Sequence, residues 1–411
     1  MKIEKSVRND PCPCGSGKKY KQCCMQNTIS PTPLRTAKPS PQQINHAMQT
    51  AWLNYESGRV GEATLLAAEI LKLAPNQADM IHLQGVIALT DGNVKVALQR
   101  LNLAVKLNAK HAQMHANLAL AQHEAGALEL ALKHYQKAIA LNQNHANTYF
   151  NMHALLLNRE DKRLAIDALQ HSIKINPNDA EALFMQMVLQ PHDTLPPDLA
   201  GLPIVKARYD AWQYLQSKNK ALKMTGSNFQ TFEIAFNEAN KTGLVLEFGV
   251  RHGNTITQIA KLAKQPTYGF DSFEGIPENW QLGEKIEAKG SYSTKGVLPE
   301  VPNNVHLHVG WFDATLPQFL LHNQESVRFI NIDCDIYSST KTVLDLLASR
   351  MIIGSVLVFD EYIGNEHWRE DEFKAFQEAV KQYKWQYEYL CFSFFTKQVA
   401  VKLTNIGNKG D

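Results

Sequence analysis

From residue 43 to residue 190 the apolar positions fall in blocks of helical spacing, two blocks to each 34-residue period. Ala63, Ala97, Ala131 and Ala165 share one phase of that period, and Leu73, Leu107, Leu141 and Ile175 share a second. Gly58, Gly92 and Gly126 separate the two blocks, where the fourth copy has Glu160, and Pro75 and Pro177 close the first and fourth copies. The pattern predicts four helix pairs and a further helix over Ala180–Leu189. Small residues in phase let paired helices approach closely, and stacked pairs bury one continuous core. Past the stretch PHDTLPPDLAGLP the pattern changes. Short runs rich in Val, Ile and Phe alternate with helical stretches: Leu244–Phe248, Thr267–Phe270, Val305–Val309, Val327–Ile332 and Ser355–Phe359. That alternation predicts a parallel sheet wound by helices, with ligands expected beyond the carboxyl ends of its strands.

The 34-residue unit resembles the tetratricopeptide repeat family. The resemblance implies an all-α solenoid whose concave side binds a peptide or protein. First helices on the inner curve would put Trp52, Tyr55, His82, His123 and Phe150 near that groove, or pack them between repeats.

Composition sets limits on function. A hydrophobic fraction of 44% and a charged fraction of 20% belong to a folding chain and exclude wholesale disorder. A net charge of +2 is too balanced for a protein that works by coating nucleic acid or an acidic membrane. The first residues have no apolar core and the run Met351–Phe359 is too short to span a bilayer, so a cytoplasmic protein without a membrane span is expected.

Four of the six cysteines, Cys12, Cys14, Cys23 and Cys24, crowd into one amino-terminal cluster, C-x-C followed after eight residues by C-C. Two thiol pairs across a Gly-bearing turn can converge on one tetrahedral Zn²⁺. The segment resembles the SEC-C zinc-binding motif, which implies a module that contacts partner proteins without catalysing a reaction. The Pro-rich stretch after it reads as a tether. The expected organisation is a zinc-binding motif over 1–27, a linker over 28–42, repeats over 43–190, a second linker over 191–215 and an α/β domain over 216–405.

The strand ends of that last domain carry the candidate chemistry. The first ends in LEFGVRHGNT, where Gly249 and Gly253 flank a tight turn into a helix; the spacing G-x-x-x-G is not the dinucleotide fingerprint. The second ends at Asp271 in GFDSFEGIP, a position from which a carboxylate can accept both hydroxyls of a ribose. Together these describe a site for an adenosyl ligand without a pyrophosphate. Two further strand ends carry acid pairs, Asp333 with Asp335 and Asp360 with Glu361. Four carboxylates at one crevice call for a cation, and oxygen-only ligands favour a hard ion such as Mg²⁺.

Residues 243–400 resemble the macrocin O-methyltransferase family of class I, S-adenosylmethionine-dependent, Rossmann-like methyltransferases, through LEFGVRHGNT, GFDSFEGIPE, VGWFDATLP, INIDCDIYSST and VLVFDEY. The resemblance implies Glu247, Gly249, Gly253 and Thr255 around the methionine end of the cofactor and Asp271 with Ser272 at its ribose. It implies Mg²⁺ on Asp333, Asp360 and Glu361, where the family more often has Asp-Asp in place of Asp360-Glu361. Asp333 or Asp335 would take the proton of the acceptor hydroxyl. The expected activity is methyl transfer to a hydroxyl of a sugar or other vicinal diol, with the repeats recruiting the substrate or a protein partner. Two other readings stay open: an adaptor with a non-catalytic domain, and an enzyme whose acceptor is a protein docked on the repeats. Residues 274–303, with Trp280 and Tyr292, are either a substrate lid or an ordered loop.

Overall fold

The computed structural model describes residues 40–159, 161–190, 197–282 and 285–407. The cysteine cluster Cys12, Cys14, Cys23 and Cys24 and the fourth-copy Glu160 lie outside them. The chain forms two compact units: one runs to Ala121 and takes in Gln136–Gln143, the other comprises Gln122–Tyr135 and everything from Asn144 on.

The helices of the repeat region are α1 (Pro41–Glu56), α2 (Val60–Leu73), α3 (Ala78–Thr90), α4 (Val94–Leu107), α5 (Ala112–Glu124), α6 (Leu128–Leu141), α7 (Ala146–Leu156), α8 (Arg163–Ile175) and α9 (Ala180–Leu189). The starts of α1 and α9 are written in the sequence. Ser40 and Gln43 form a capping box on α1, with Pro41 at its first turn, and the Asp179 carboxylate accepts from the Glu181 and Ala182 N–H groups of α9. Gly58, Gly92 and Gly126 all have positive φ, between 73° and 79°, which ends the first helix of each pair. Ala63, Ala97, Ala131 and Ala165 are all fully buried. The leucine phase behaves differently: Leu73 and Leu107 are exposed, so that periodicity marks register and not burial.

In the first unit Ala51, Tyr55, Ala63, Ile70, Met80, Leu83, Ala97 and Leu101 share a core with Trp52 packed against it. Tyr55 and His82, expected near a groove, are buried, and the His82 ring lies 5.3 Å from Trp52 with its Nε2 2.9 Å from Asn117 Nδ2. In the second unit His123 and Phe150 are buried too. These side chains pack between helices.

The second unit contains α10 (Pro197–Ala200) and α11 (Pro203–Lys218), so helix occupies much of the stretch read as linker, and then a mixed sheet. Its strands are β1 (Lys223–Met224), β2 (Leu244–Phe248), β3 (Thr267–Asp271), β6 (Val305–Val309), β7 (Val327–Ile332), β8 (Val356–Phe359), β9 (Gln386–Phe392) and β10 (Val399–Asn405), with β4 (Trp280–Leu282) and β5 (Lys285–Glu287) forming a separate hairpin. The order is β1-β9-β10-β8-β7-β2-β3-β6. The five expected strands are mutually parallel, whereas β10 runs antiparallel to both β8 and β9. Val245, Phe329, Val356 and Val358 face α12 (Asn228–Glu238) and α13 (Asn254–Ala263) in one core. The alternate residues Leu244, Leu246, Phe248, Ile330, Ile332, Leu357 and Phe359 enter a second core, which also holds side chains of α15 (Tyr337–Leu347) and α16 (Glu372–Gln382). Burial on both faces is why these strands read as continuous apolar runs. Among the described residues no helix is long and apolar enough to cross a membrane.

Candidate active site

Strand β2 lies between β7 and β3. The chain moves from β2 outward through β3 to β6, then crosses back to β7 and β8, which makes the carboxyl ends of β2 and β7 the topological switch point. The polar residues at the ends of β3, β2, β7 and β8 are thereby collected along one sheet edge. Backbone bonds continue past the strands: Gly249 N–H donates to Phe270 O (2.9 Å), Asp333 N–H to Phe248 O (2.8 Å) and Asp360 N–H to Ile332 O (2.9 Å).

Gly249 has φ +93°, and a Cβ there would stand 1.7 Å from the Asp333 carbonyl oxygen. The absent side chain therefore serves the close approach of the β7 end to the glycine turn. Gly253, at φ +77°, begins α13, and its Cβ would meet Pro299 at 3.0 Å. Asp271 fastens this turn to β3. Its Oδ2 accepts from Val250 N–H (2.8 Å) and Arg251 N–H (2.7 Å), and its Oδ1 from Phe273 N–H (2.6 Å). Ser272 Oγ accepts from Glu274 N–H at 3.1 Å. Both residues expected at a ribose thus also accept from backbone N–H groups of other residues.

Glu247 is fully buried. Its Oε1 accepts from Asn331 Nδ2 at 2.9 Å, while its Oε2 and the Asn331 Oδ1 have no hydrogen-bond partner among the described residues. Burial pushes the Glu247 carboxyl from its ordinary 4.5 up to about 8, against the downward pull of the Thr255 and Asn331 side chains. Because the folded value is the raised one, this group's contribution to stability is complete below about pH 4.5 and is lost as pH rises through about 8. The ligand-free protein is therefore expected to melt at a lower temperature at pH 9 than at pH 6, with Glu247→Gln narrowing that gap. Equal pH dependence of the melting temperature in the two proteins would refute this role.

The strand-end acids do come together. Burial holds the Asp333 and Asp335 carboxyls well above the usual range; Asp360 adds to the push on Asp333, and Glu361 to that on Asp335. Asp360, likewise raised, accepts from Gln398 Nε2 at 2.8 Å. Glu361 accepts from Lys397 Nζ through both oxygens, at 2.7 and 3.0 Å. The set Asp333, Asp360 and Glu361, assigned to Mg²⁺ by resemblance, does not fit an ion as it stands: among the described residues no group of three or more His, Cys, Asp or Glu side chains is arranged to hold a metal. A cation is nonetheless present, as the Lys397 ammonium. Sequence reasoning missed Lys397, Gln398 and a fifth acid, Glu372. Glu372 is fully buried at the start of α16 and accepts from Glu361 N–H at 3.0 Å, leaving its Oε1 without a partner among the described residues.

Residues 246–362, which include the ends of β2, β3, β7 and β8, match the family model of the methyltransferase domain. The chain carries a methyltransferase domain. Residues 122–158 match the TPR repeat model and residues 8–26 the SEC-C motif. The protein translocase subunit SecA of Syntrophus aciditrophicus (strain SB) is 77% identical over 26 residues, 6% of this chain and 3% of SecA. The uncharacterized protein YecA of Escherichia coli (strain K12) is 82% identical over 22 residues, 5% of this chain and 10% of YecA. This chain thus spans only a small fraction of the length of these curated relatives. Among solved structures, the calicheamicin methyltransferase CalS11 is 19% identical with a TM-score of 0.35, covering 58% of this chain and 93% of its own. The O-methyltransferase NovP is 21% identical with a TM-score of 0.32, covering 43% and 78%.

Within the methyltransferase domain the segment between β3 and β6 is tied down beside the acids. Trp280 Nε1–H donates to Asp371 Oδ2 at 3.0 Å, Ser338 Oγ to Glu278 Oε1 at 2.5 Å, and Arg251 Nε–H to the Tyr292 carbonyl at 3.2 Å. The Arg251 guanidinium also lies over the Tyr292 ring, 5.3 Å from its centre. Burial raises the Tyr292 phenol, and the Asp335 and Glu361 charges add to the effect. Its described residues bring a tyrosine into the field of the acids.

Proposed function

We propose that the protein is an S-adenosylmethionine-dependent O-methyltransferase acting on a hydroxyl of a sugar or other vicinal diol, with its repeats and its amino-terminal zinc motif recruiting a protein partner or the substrate carrier. The observation that carries the reading is the coincidence of the methyltransferase-domain match with the switch-point edge at which Glu247, Asp271, Asp333 and Asp360 converge. The fit to the cofactor rests on the buried polar atoms Glu247 Oε2 and Asn331 Oδ1, unpaired among the described residues, which suit a polar ligand. In this reading Glu247, Gly249, Gly253 and Thr255 surround the methionine end, and Asp271 and Ser272 face the ribose with the lone pairs their backbone partners leave. When bound, the cofactor supplies an electrophilic methyl group on a sulfonium. The chain's own part is to exclude water, orient the acceptor oxygen and take its proton on Asp333 or Asp335.

Isothermal titration is expected to give one S-adenosylmethionine per chain. Labelled methyl groups incubated with lysate should appear in a polyol fraction as an alkali-stable ether. Absence of cofactor binding would leave the adaptor reading standing, and label confined to protein would move the acceptor to a partner docked on the repeats.

A further inference from the structure

We infer that the Lys397 ammonium takes, in this chain, the place of a divalent cation among the strand-end acids, with Glu361 as its counter-ion and not as a metal ligand. The argument begins with charge. Asp333, Asp335, Asp360, Glu361 and Glu372 act on one another electrostatically, and whichever of these buried acids ionise require compensation. Two cations face them. Arg251, from the turn after β2, acts on Asp335, and Lys397, from the turn between β9 and β10, acts on Asp335 and Asp360 and bonds Glu361.

The donor set points the same way. Lys397 Nζ engages both Glu361 oxygens, the Gln398 amide occupies Asp360 Oδ1, and Glu361 is further held through its backbone N–H by Glu372 Oε2. An ion bridging Asp360 and Glu361 would have to displace two adjacent residues of one turn, and Lys397 is held in that turn with φ +57°. The geometry gives Lys397 a use beyond neutralisation. An ammonium has three protons, and Glu361 takes two of them. The Lys397 side chain is 39% exposed against 13% for Glu361, and the N–H that Glu361 does not take is assigned in this inference to an oxygen of the acceptor. This use rests on the methyl-transfer reading above; the charge replacement does not.

The test is a Mn²⁺ titration of the full-length zinc-loaded protein, followed by electron paramagnetic resonance and by the melting temperature, for the native chain, Lys397→Met and Lys397→Arg. The native protein and Lys397→Arg are expected to show no saturable Mn²⁺ site and no change of melting temperature on addition of Mn²⁺. Lys397→Met should gain one saturable Mn²⁺ site that the other two lack, because removing a neighbouring positive charge favours the ion strongly. Should Lys397→Met fail to fold, the native protein alone decides: stabilisation by Mn²⁺, reversed by EDTA, overturns the inference. Equal Mn²⁺ affinity in native and Lys397→Met proteins overturns it, as does failure of both to bind. Each of these readings is independent of cofactor binding and of the identity of the acceptor.

Discussion

A fragment beginning at residue 200 is expected not to fold, although the β-strands of the methyltransferase domain all lie within it. Phe150, Leu169, Phe184, Met185 and Met187, from α7, α8 and α9, belong to the same core as Trp212, Leu215, Phe359, Tyr362 and Phe376. Phe184 meets Phe394 edge-on at 5.0 Å and Phe150 meets Phe395 at 5.6 Å. Polar contacts follow the apolar ones. Gln230 Nε2–H donates to Leu155 O at 3.1 Å and Gln258 Nε2–H to Glu124 O at 2.7 Å, and a Cβ on Gly226 would fall 1.8 Å from Ala154 O. A large apolar side chain contributes about 1.5–3 kcal/mol on burial, so losing these five removes about 8–15 kcal/mol. That equals the entire stability of an ordinary domain. Residues 200–411 should therefore be insoluble or lack near-ultraviolet dichroism, whereas 122–411, which retains these contacts, should unfold cooperatively. Cooperative melting of the shorter fragment would show that the helices of the repeats are dispensable to the catalytic core, as the strand pattern by itself suggests.

That contrast marks how far the sequence could be read. Leu244–Phe248 coincides with β2 because a five-residue run between glycines, apolar at four positions and buried on both faces, leaves little choice of register. The antiparallel hairpin β9–β10 carries no such mark. QYEYLCF mixes two tyrosines with one acid, and its Tyr389 turns inward to bond tyrosines of other elements, its Oη lying 3.1 Å from Tyr362 Oη and 3.0 Å from Tyr214 Oη. Asp271 could be placed at its strand end from spacing, but its three backbone donors depend on a turn conformation that spacing does not encode. Glu372 hides in the charged run EHWREDE, where helical surface is the natural reading; only the tertiary fold shows it fully buried. Lys397 sits in no motif. Its place among the acids follows from a hairpin in which a non-glycine residue adopts positive φ, and nothing local announces that.

The glycine turn gives the sharpest single-residue test. Gly249→Ala is expected to destabilise the protein by more than about 4 kcal/mol, at the extreme of what single substitutions do. Two costs combine. A side chain at φ +93° carries backbone strain of about 1–3 kcal/mol. The new Cβ would also occupy the position of the Asp333 carbonyl, 1.7 Å away, and that carbonyl cannot easily retreat. Asp333 N–H is bonded to Phe248 O, Gly249 N–H to Phe270 O, and the turn beyond is held by Asp271. Relief therefore requires parting the ends of β2 and β7, which is where the candidate active site is assembled. Gly253→Ala provides the comparison, because its Cβ would meet side chains and not backbone, Pro299 at 3.0 Å and Val301 at 3.3 Å. That variant should lose mainly the strain, about 1–3 kcal/mol. Urea unfolding of the three proteins measures both values. A Gly249→Ala protein within about 1 kcal/mol of the native chain would mean that the strand ends separate cheaply. The close backbone approach of β2 and β7 would then no longer explain the glycine.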